Sequence, residues 1–228
     1  MVLEALNQDE AFILGVAKCT CFVFMEEQNF DGRYKKAFCG TAFFVSSHLL
    51  LTAGHNAMSV NGGVIEIRIT PPGIDQMHSW QVSRGGVHSI KCKVLATLYR
   101  QGGKPENDIA ILDTLPYTVE EYLPLSSISP ASGSVLDVIG YAGEIVLEWI
   151  NSHGVQDVEK RRMEVESLFT DGSLTVTRGV SVAVGNTMTY RLSTCPGMGG
   201  GCVLYKGSVI GKYKSGSSLK IRRTYRAM

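Results

Sequence analysis

Residues 194–203 read TCPGMGGGCV and form the most informative stretch of the chain. Its four glycines let the backbone adopt angles that are closed to other residues and approach a ligand closely. Two or more N–H groups that point the same way can form an oxyanion hole, which stabilises negative charge on an oxygen atom. Apolar runs follow at 203–204 and, after Lys206 and Gly207, at 208–213. The stretch therefore predicts a tight turn between strands and a candidate anion-binding site.

Two further segments carry side chains suited to proton transfer. Residues 41–55 read TAFFVSSHLLLTAGH, two apolar runs joined at a short polar turn and leading into His55. Residues 107–112 read NDIAIL and place Asp108 at the start of a predicted strand. Histidine has an ordinary pKa near 6.5, roughly, and so gains and loses a proton near neutrality. A carboxylate that holds its other ring nitrogen favours the imidazolium as it forms.

Together these segments resemble the chymotrypsin-like (trypsin-fold) serine peptidases. Residues 194–203 resemble the nucleophile loop of that family, Gly-x-Ser-Gly-Gly or Gly-x-Cys-Gly. Residues 52–55 resemble its Thr-Ala-x-His motif, and residues 107–112 resemble its Asp-Ile-Ala-Leu-Leu strand start. The order His55, Asp108, position 199 is the chymotrypsin order, and neither subtilisin nor the α/β-hydrolases share it.

The resemblance implies a role for each site residue. His55 would be the general base and later the general acid, Asp108 would orient it, and position 199 would carry the nucleophile. The N–H groups of Gly197 and Gly199 would form the oxyanion hole. Position 199 is glycine, however, so the loop is present and the nucleophilic hydroxyl is missing.

The resemblance also implies an all-β, chymotrypsin-like fold of two six-stranded antiparallel Greek-key barrels. An N-terminal barrel (12–116) would carry His55 and Asp108, a linker (117–132) would follow, and a C-terminal barrel (133–228) would carry the nucleophile loop and specificity pocket. A chain of 228 residues with 44% hydrophobic residues and 25 glycines fits this class. The predicted strands are 15–26, 36–46, 48–52, 64–70, 90–99, 109–113, 135–141, 174–184, 188–193, 202–205 and 208–213, with His55 on a short helical turn.

Glycine at position 199 leaves three interpretations. Attack on a carbonyl carbon needs an oxygen or sulfur atom, and Cys202 is a poor substitute because the family places a buried proline there. In the first interpretation the active protein has serine (or, as a weaker choice, cysteine) at 199 and this chain is an inactivated variant. In the second the chain is a natural pseudoprotease that binds a peptide or a protein. In the third it is a regulated protease domain cut from a larger polypeptide, with the basic segment 220–226 as linker or cleavage site.

The positions that line the substrate site in the same family indicate which residues of this chain would bind substrate. Ser193, Thr194 and Tyr213 would line the specificity pocket, and Ser215 and Gly216 would offer backbone to a peptide or protein substrate bound as an extended strand. Serine at 193 argues against a basic P1 residue, because trypsin-like enzymes have an aspartate there. Two lysines, Lys212 and Lys214, alternate with Tyr213. We expect them on the solvent face of their strand; the alternative is that one of them faces an acidic side chain of the substrate.

The net charge, the N-terminal residues and Met198 bear on the partners, the export and the activation of the protein. The net charge of +1 gives no electrostatic reason for nucleic acid or membrane as the main partner. Residues 1–10 lack the basic and apolar regions of a signal peptide. Met198 stands where many relatives have the aspartate that pairs with a freshly cut N-terminus, so we expect no zymogen activation.

The six cysteines, at 19, 21, 39, 92, 195 and 202, indicate a reducing compartment. The family's disulfide partners are missing; for example, Asn56 stands where the partner of Cys39 would be. Unpaired thiols fit the cytoplasm, and we expect no cofactor. Cys19 and Cys21 are predicted to share one face of a strand as small buried hydrophobic residues and not to bind metal.

Overall fold

The computed structural model describes residues 8–28, 34–58, 65–70, 72, 89–99, 108–143, 163, 174–183, 188–191 and 196–213. Within these residues the chain is mostly β, with one helix, one short 3₁₀ turn and eleven strands. The elements are α1 Gln8–Lys18, β1 Thr20–Gln28, β2 Tyr34–Phe44, β3 Leu49–Thr52, the 3₁₀ turn Gly54–Ala57, β4 Ile65–Ile69, β5 Ile90–Thr97, β6 Ala110–Asp113, β7 Val135–Tyr141, β8 Leu174–Ala183, β9 Thr189–Arg191, β10 Cys202–Tyr205 and β11 Ser208–Lys212.

The first six strands close into an antiparallel barrel in the order β1-β2-β3-β6-β5-β4. Alternation of side chains builds its interior, as β4 shows: Ile67 and Ile69 are buried, while Arg68 between them is only partly covered. Their apolar neighbours come from every strand of the barrel. The fully buried members of this core are Cys21, Val23, Ala42, Phe44, Leu50, Ile69, Ala110 and Leu112. The barrel therefore confirms the fold class predicted for the N-terminal half.

The remaining strands form an open five-stranded sheet in the order β11-β10-β7-β8-β9. The sequence predicts a second closed six-stranded barrel, but the described residues contain no such barrel. Closure would need a pairing that joins the edge strands β9 and β11, and short strand motifs predict that strands exist without predicting how the edges meet. Residues 144–162 and 164–173 lie outside the described part of the chain.

The predicted strand 15–26 was wrong at its start, because residues up to Lys18 are helical. Phe12, Ile13 and Val16 face a second apolar cluster that includes Phe43 and Leu204. A short run of apolar residues fits a buried helix or a buried strand, and here packing against both sheets favours the helix. The helix ends where the Cys19 N–H donates to the Val16 carbonyl at 3.0 Å.

Because α1 extends to Lys18, the prediction that Cys19 and Cys21 share one face of a strand was wrong. Cys19 lies in the turn between α1 and β1, so it does not share a strand face with Cys21. Both side chains are nevertheless buried. Burial raises the pKa of Cys19 to about 11 and that of Cys202 to about 12, so neither thiol is a ready nucleophile at neutral pH.

The segment between β6 and β7, predicted as a linker, contacts both sheets. The Leu123 N–H donates to the Phe44 carbonyl of β2 at 2.8 Å, and the Ser126 N–H donates to the Val209 carbonyl of β11 at 2.7 Å. Leu125 forms an isolated parallel bridge with Val209. No helix in the described part of the chain is long and apolar enough to cross a membrane.

Truncation of Leu112 should test the barrel core. Leu112 is fully buried in β6 and pairs with Leu50 and Val94. Leu112→Ala should lower the free energy of unfolding by about 2–5 kcal/mol, because it leaves a cavity in the barrel. Leu95→Ala is the matched control, since Leu95 on β5 is 48% exposed; its loss should stay below about 1 kcal/mol. Equal losses in urea unfolding would contradict the assigned core.

Candidate active site

The register of the barrel brings His55 and Asp108 together. β3 and β6 are antiparallel, and Thr52 at the end of β3 pairs with Ala110 at the start of β6. His55 follows β3 on the 3₁₀ turn Gly54–Ala57, and Asp108 precedes β6 by two residues. The turn passes so close to β6 that a side chain on Gly54 would meet the Ile109 backbone at 3.0 Å. The predicted helical turn at His55 is thus confirmed.

Three hydrogen bonds fix Asp108 against His55. The His55 Nδ1 atom lies 2.9 Å from Asp108 Oδ2 and 3.1 Å from Oδ1, and the backbone N–H of His55 donates to Oδ1 at 2.9 Å. An ionised carboxylate only accepts hydrogen bonds, so Nδ1 donates to Asp108 and Nε2 is the ring nitrogen on the opposite side. Asp108 is 1% exposed, whereas the His55 side chain is 33% exposed. The ring is therefore held by Asp108 at Nδ1, while part of the ring remains accessible to solvent.

The Asp108 carboxyl stays ionised in spite of its burial. Burial raises its pKa, but the hydrogen bonds from His55 and the positive charge of Lys212 outweigh that effect and lower the pKa to about 2. Lys212 Nζ lies 3.6 Å from Asp108 Oδ2, and its side chain is only 9% exposed. The expectation that Lys212 faces solvent was therefore wrong. Lys214 lies outside the described residues.

The glycine-rich loop is anchored on the barrel through the carbonyl of Gly199. That oxygen accepts one hydrogen bond from the Thr41 N–H at 2.9 Å and another from Asn56 Nδ2 at 2.9 Å. The Thr41 hydroxyl donates to the Gly197 carbonyl at 2.9 Å. β2 and the turn that carries His55 thus hold position 199 from two directions.

Position 199 faces the second ring nitrogen of His55, Nε2. A Cβ atom built on Gly199 would lie 3.3 Å from His55 Nε2 and 3.4 Å from Cε1. Gly199 is not among the glycines with positive φ, so any residue can adopt its backbone conformation. A side chain added there would start directly against the histidine ring.

The N–H groups proposed for the oxyanion hole have no competing acceptor in the part of the chain that the structure describes. Neither Gly197 nor Gly199 donates a backbone hydrogen bond to another described residue. Their neighbours do, since Gly200 donates to the Tyr213 carbonyl at 2.8 Å and Gly201 donates to the Met198 carbonyl at 3.0 Å. Gly197 has a φ of +89°, a conformation that favours glycine. The loop is therefore braced while its two candidate donors remain available.

Of the residues predicted to bind substrate, only Tyr213 lies in the described part of the chain. It is 3% exposed, and its N–H donates to the Gly201 carbonyl at 2.6 Å. Its backbone thus braces the glycine-rich loop from the second sheet. Ser193, Thr194, Ser215 and Gly216 lie outside the described residues, so the specificity pocket stays a prediction.

Asn56 and Lys212 are the site residues that sequence reasoning missed. Asn56 Nδ2 donates to Thr52 Oγ1 at 3.1 Å as well as to Gly199. A side chain on Gly40 would fall on the amide of Asn56. The only sequence signal was that asparagine stands where the family has a cysteine. Tyr99 adds an edge-on aromatic contact to His55, with ring centroids 6.2 Å apart.

The described residues contain no group of three or more histidine, cysteine, aspartate or glutamate side chains that could hold a metal ion. The described site combines the imidazole of His55, the carboxylate of Asp108 with the Lys212 ammonium group beside it, and backbone N–H groups of the glycine-rich loop. These are groups that move a proton and stabilise an oxyanion.

Substitution of Gly200 should test the loop packing. Gly200 has a φ of +90°, and a Cβ there would fall on the Thr41 carbonyl. Gly200→Ala should cost about 2–5 kcal/mol of unfolding free energy, from the left-handed backbone and from overpacking. Gly207→Ala is the matched control, because its φ is +73° with nothing within 4 Å; it should cost only about 1–2 kcal/mol. Losses of the same size in urea unfolding would refute the close packing of this loop on Thr41.

The pKa of Asp108 makes stability depend on pH in acid. Since the folded pKa of about 2 lies below the ordinary value of 3.8, the carboxylate stabilises the fold fully above pH ~4, and this contribution is lost as pH falls toward ~2. Over that window the parent should lose about 2 kcal/mol more unfolding free energy than Asp108→Asn does. Urea unfolding at a series of pH values measures the difference; parallel curves for the two proteins would contradict it.

The comparisons with known proteins bear on the fold. No family model matches the sequence, and no curated protein matches it. Among solved structures the chain is similar to the Rv3671c protease from M. tuberculosis. The active form is 15% identical with a TM-score of 0.53, covering 93% of this chain and 82% of that one. The inactive form is 15% identical with a TM-score of 0.51, covering 90% and 80%. The chain shares the fold of these proteases, and its closed barrel and second sheet are consistent with a chymotrypsin-like fold.

Proposed function

We propose that the scaffold is that of a trypsin-like serine endopeptidase, which hydrolyses peptide bonds by a Ser-His-Asp mechanism. The active protein has serine at position 199, and glycine there makes this chain an inactive nucleophile variant. The supporting observation is that a Cβ at position 199 would lie 3.3 Å from His55 Nε2. The opposite ring nitrogen of that histidine is bonded to Asp108 at 2.9 Å.

The reaction proceeds in two halves. The serine Oγ attacks the carbonyl carbon of the substrate, and its proton passes to His55 Nε2 while Asp108 stabilises the imidazolium. The tetrahedral intermediate then breaks the C–N bond, and His55 gives its proton to the leaving amine. Water hydrolyses the acyl-enzyme by the same route, with His55 again as base. Each group returns to its starting protonation state.

Backbone N–H groups of the loop stabilise the oxyanion of this intermediate. Gly197 and Gly199 supply them, and both are free of other acceptors among the described residues. One such donor is worth about 10²–10³ in kcat. Glycine at 199 keeps its N–H, so this chain retains the oxyanion hole although it lacks the attacking atom.

A second candidate function is that of a binding module. The specific observation in its favour is Gly199 itself, because a chain without a nucleophile can bind an extended peptide but cannot form an acyl-enzyme. In this case Ser193, Thr194, Tyr213, Ser215 and Gly216 hold a peptide or partner protein without cleaving it. The shared element of both proposals is an extended strand bound beside the glycine-rich loop.

We place either activity in the cytoplasm. The free cysteines among the described residues, Cys19, Cys21, Cys92 and Cys202, are all buried. Free thiols are typical of a reducing compartment.

Restoring the nucleophile tests the proposal. Gly199→Ser and, as the second nucleophile, Gly199→Cys should cleave a mixed peptide library, whereas the parent chain should not. Addition of His55→Ala to the serine variant should reduce the rate by about 10³-fold or more. Gly211→Ser is the matched control, since nothing lies within 4 Å of a side chain there; it supplies the same hydroxyl at a site other than position 199 and should stay inactive.

The outcomes separate the two functions. His55-dependent cleavage establishes the protease and gives its P1 preference through the cut sites. A folded Gly199→Ser protein that binds library peptides without cutting them rejects the protease in favour of the binding module. Cleavage that persists after His55→Ala, or that Gly211→Ser also shows, would reject the assigned mechanism.

A further inference from the structure

A buried lysine of the second sheet meets the Asp108 carboxylate of the barrel. Lys212 ends β11, where it pairs with Cys202 of β10. Its Nζ atom lies 3.6 Å from Asp108 Oδ2, with the two side chains 9% and 1% exposed. Removal of an ammonium group from water is costly unless a negative charge compensates it. Asp108 supplies that negative charge, so each of these two buried groups lies beside a group of opposite charge.

The position of this cation matters because Asp108 also serves His55. Among the described residues, the charged or titratable groups that face Asp108 are His55, from the 3₁₀ turn, and Lys212, from β11. The neighbouring aromatic ring, Tyr99, lies against His55 as an edge contact. One carboxylate is therefore shared between an imidazole and an ammonium group.

We propose that Lys212 is a positioning residue for the His55–Asp108 pair, which holds the carboxylate in place and offsets part of its negative charge. This inference rests on the proposed protease function. A carboxylate beside the ring nitrogen favours the protonated imidazole, and a cation on the same carboxylate opposes that preference. Lys212 thereby keeps His55 unprotonated, and so able to accept a proton from the nucleophile, at lower pH than the pair alone would.

The charge effect is first measured on the parent chain, without any need for activity. Carboxyl ¹³C NMR should follow Asp108 as it titrates in acid. Lys212→Met should raise the pKa of Asp108 by about one unit, because a stabilising cation is lost. Lys212→Gln should do the same, whereas Lys212→Arg should leave the titration nearly unchanged. Lys206→Met is the matched control, since it removes a lysine from the turn that precedes β11 without touching Asp108.

The catalytic consequence is then measured in the Gly199→Ser background. Lys212→Met should move the acid limb of the kcat/KM profile to higher pH by about one unit. Lys212→Arg should keep the limb in place. A purely structural role would instead lower the rate of both variants without moving the limb.

The NMR titration and the kcat/KM profile test different parts of the proposal, so one can contradict it without the other. If Gly199→Ser does not cleave, the protease proposal falls while the NMR titration still tests the charge pairing. An Asp108 titration that Lys212→Met and Lys212→Gln leave unchanged in folded proteins would overturn the pairing. A Gly199→Ser enzyme whose acid limb stays fixed in Lys212→Met would overturn the inferred role in catalysis.

Discussion

The carbonyl of Gly199 joins the two halves of the molecule. It accepts hydrogen bonds from the Thr41 N–H of the barrel and from Asn56, the residue after His55. These bonds require close backbone contact, and the glycines make it possible. A side chain on Gly40 would displace the Asn56 amide, and one on Gly200 would fall on the Thr41 carbonyl. The glycine content of this region is thus a packing requirement, and it sets where position 199 lies relative to the histidine.

Charge placement adds a second constraint to the same site. A carboxylate that is 1% exposed is stable only with compensating donors or cations. Asp108 has the ring and backbone N–H groups of His55 on the barrel side and Lys212 on the side of the second sheet. The Lys212–Asp108 contact therefore crosses from the second sheet to the barrel, and the carboxylate that takes part in it is the one bonded to His55.

Local signals in the sequence predicted most of the barrel and the core of the site. The predicted strand 64–70 contains β4, and segments 41–55 and 107–112 placed His55 after one strand and Asp108 at the start of another. Long-range effects could not be predicted in this way. The apolar run near Val16 fits a helix or a strand, and only its packing against Phe43 and Leu204 favours the helix. Lys212 is likewise defined by a partner more than a hundred residues away.

The backbone itself bears on why position 199 is glycine. Gly200 needs glycine because its φ is +90°, and Gly201 needs it because a side chain would meet the Ile139 carbonyl. Gly199 has neither requirement, since its φ is not positive and, among the described residues, a Cβ there meets only the histidine ring, at 3.3 Å. A shift of a few tenths of an ångström in that ring would bring a Cβ atom at 199 to an ordinary van der Waals distance. Among the described residues, the backbone therefore demands glycine at 200 and 201 but not at 199.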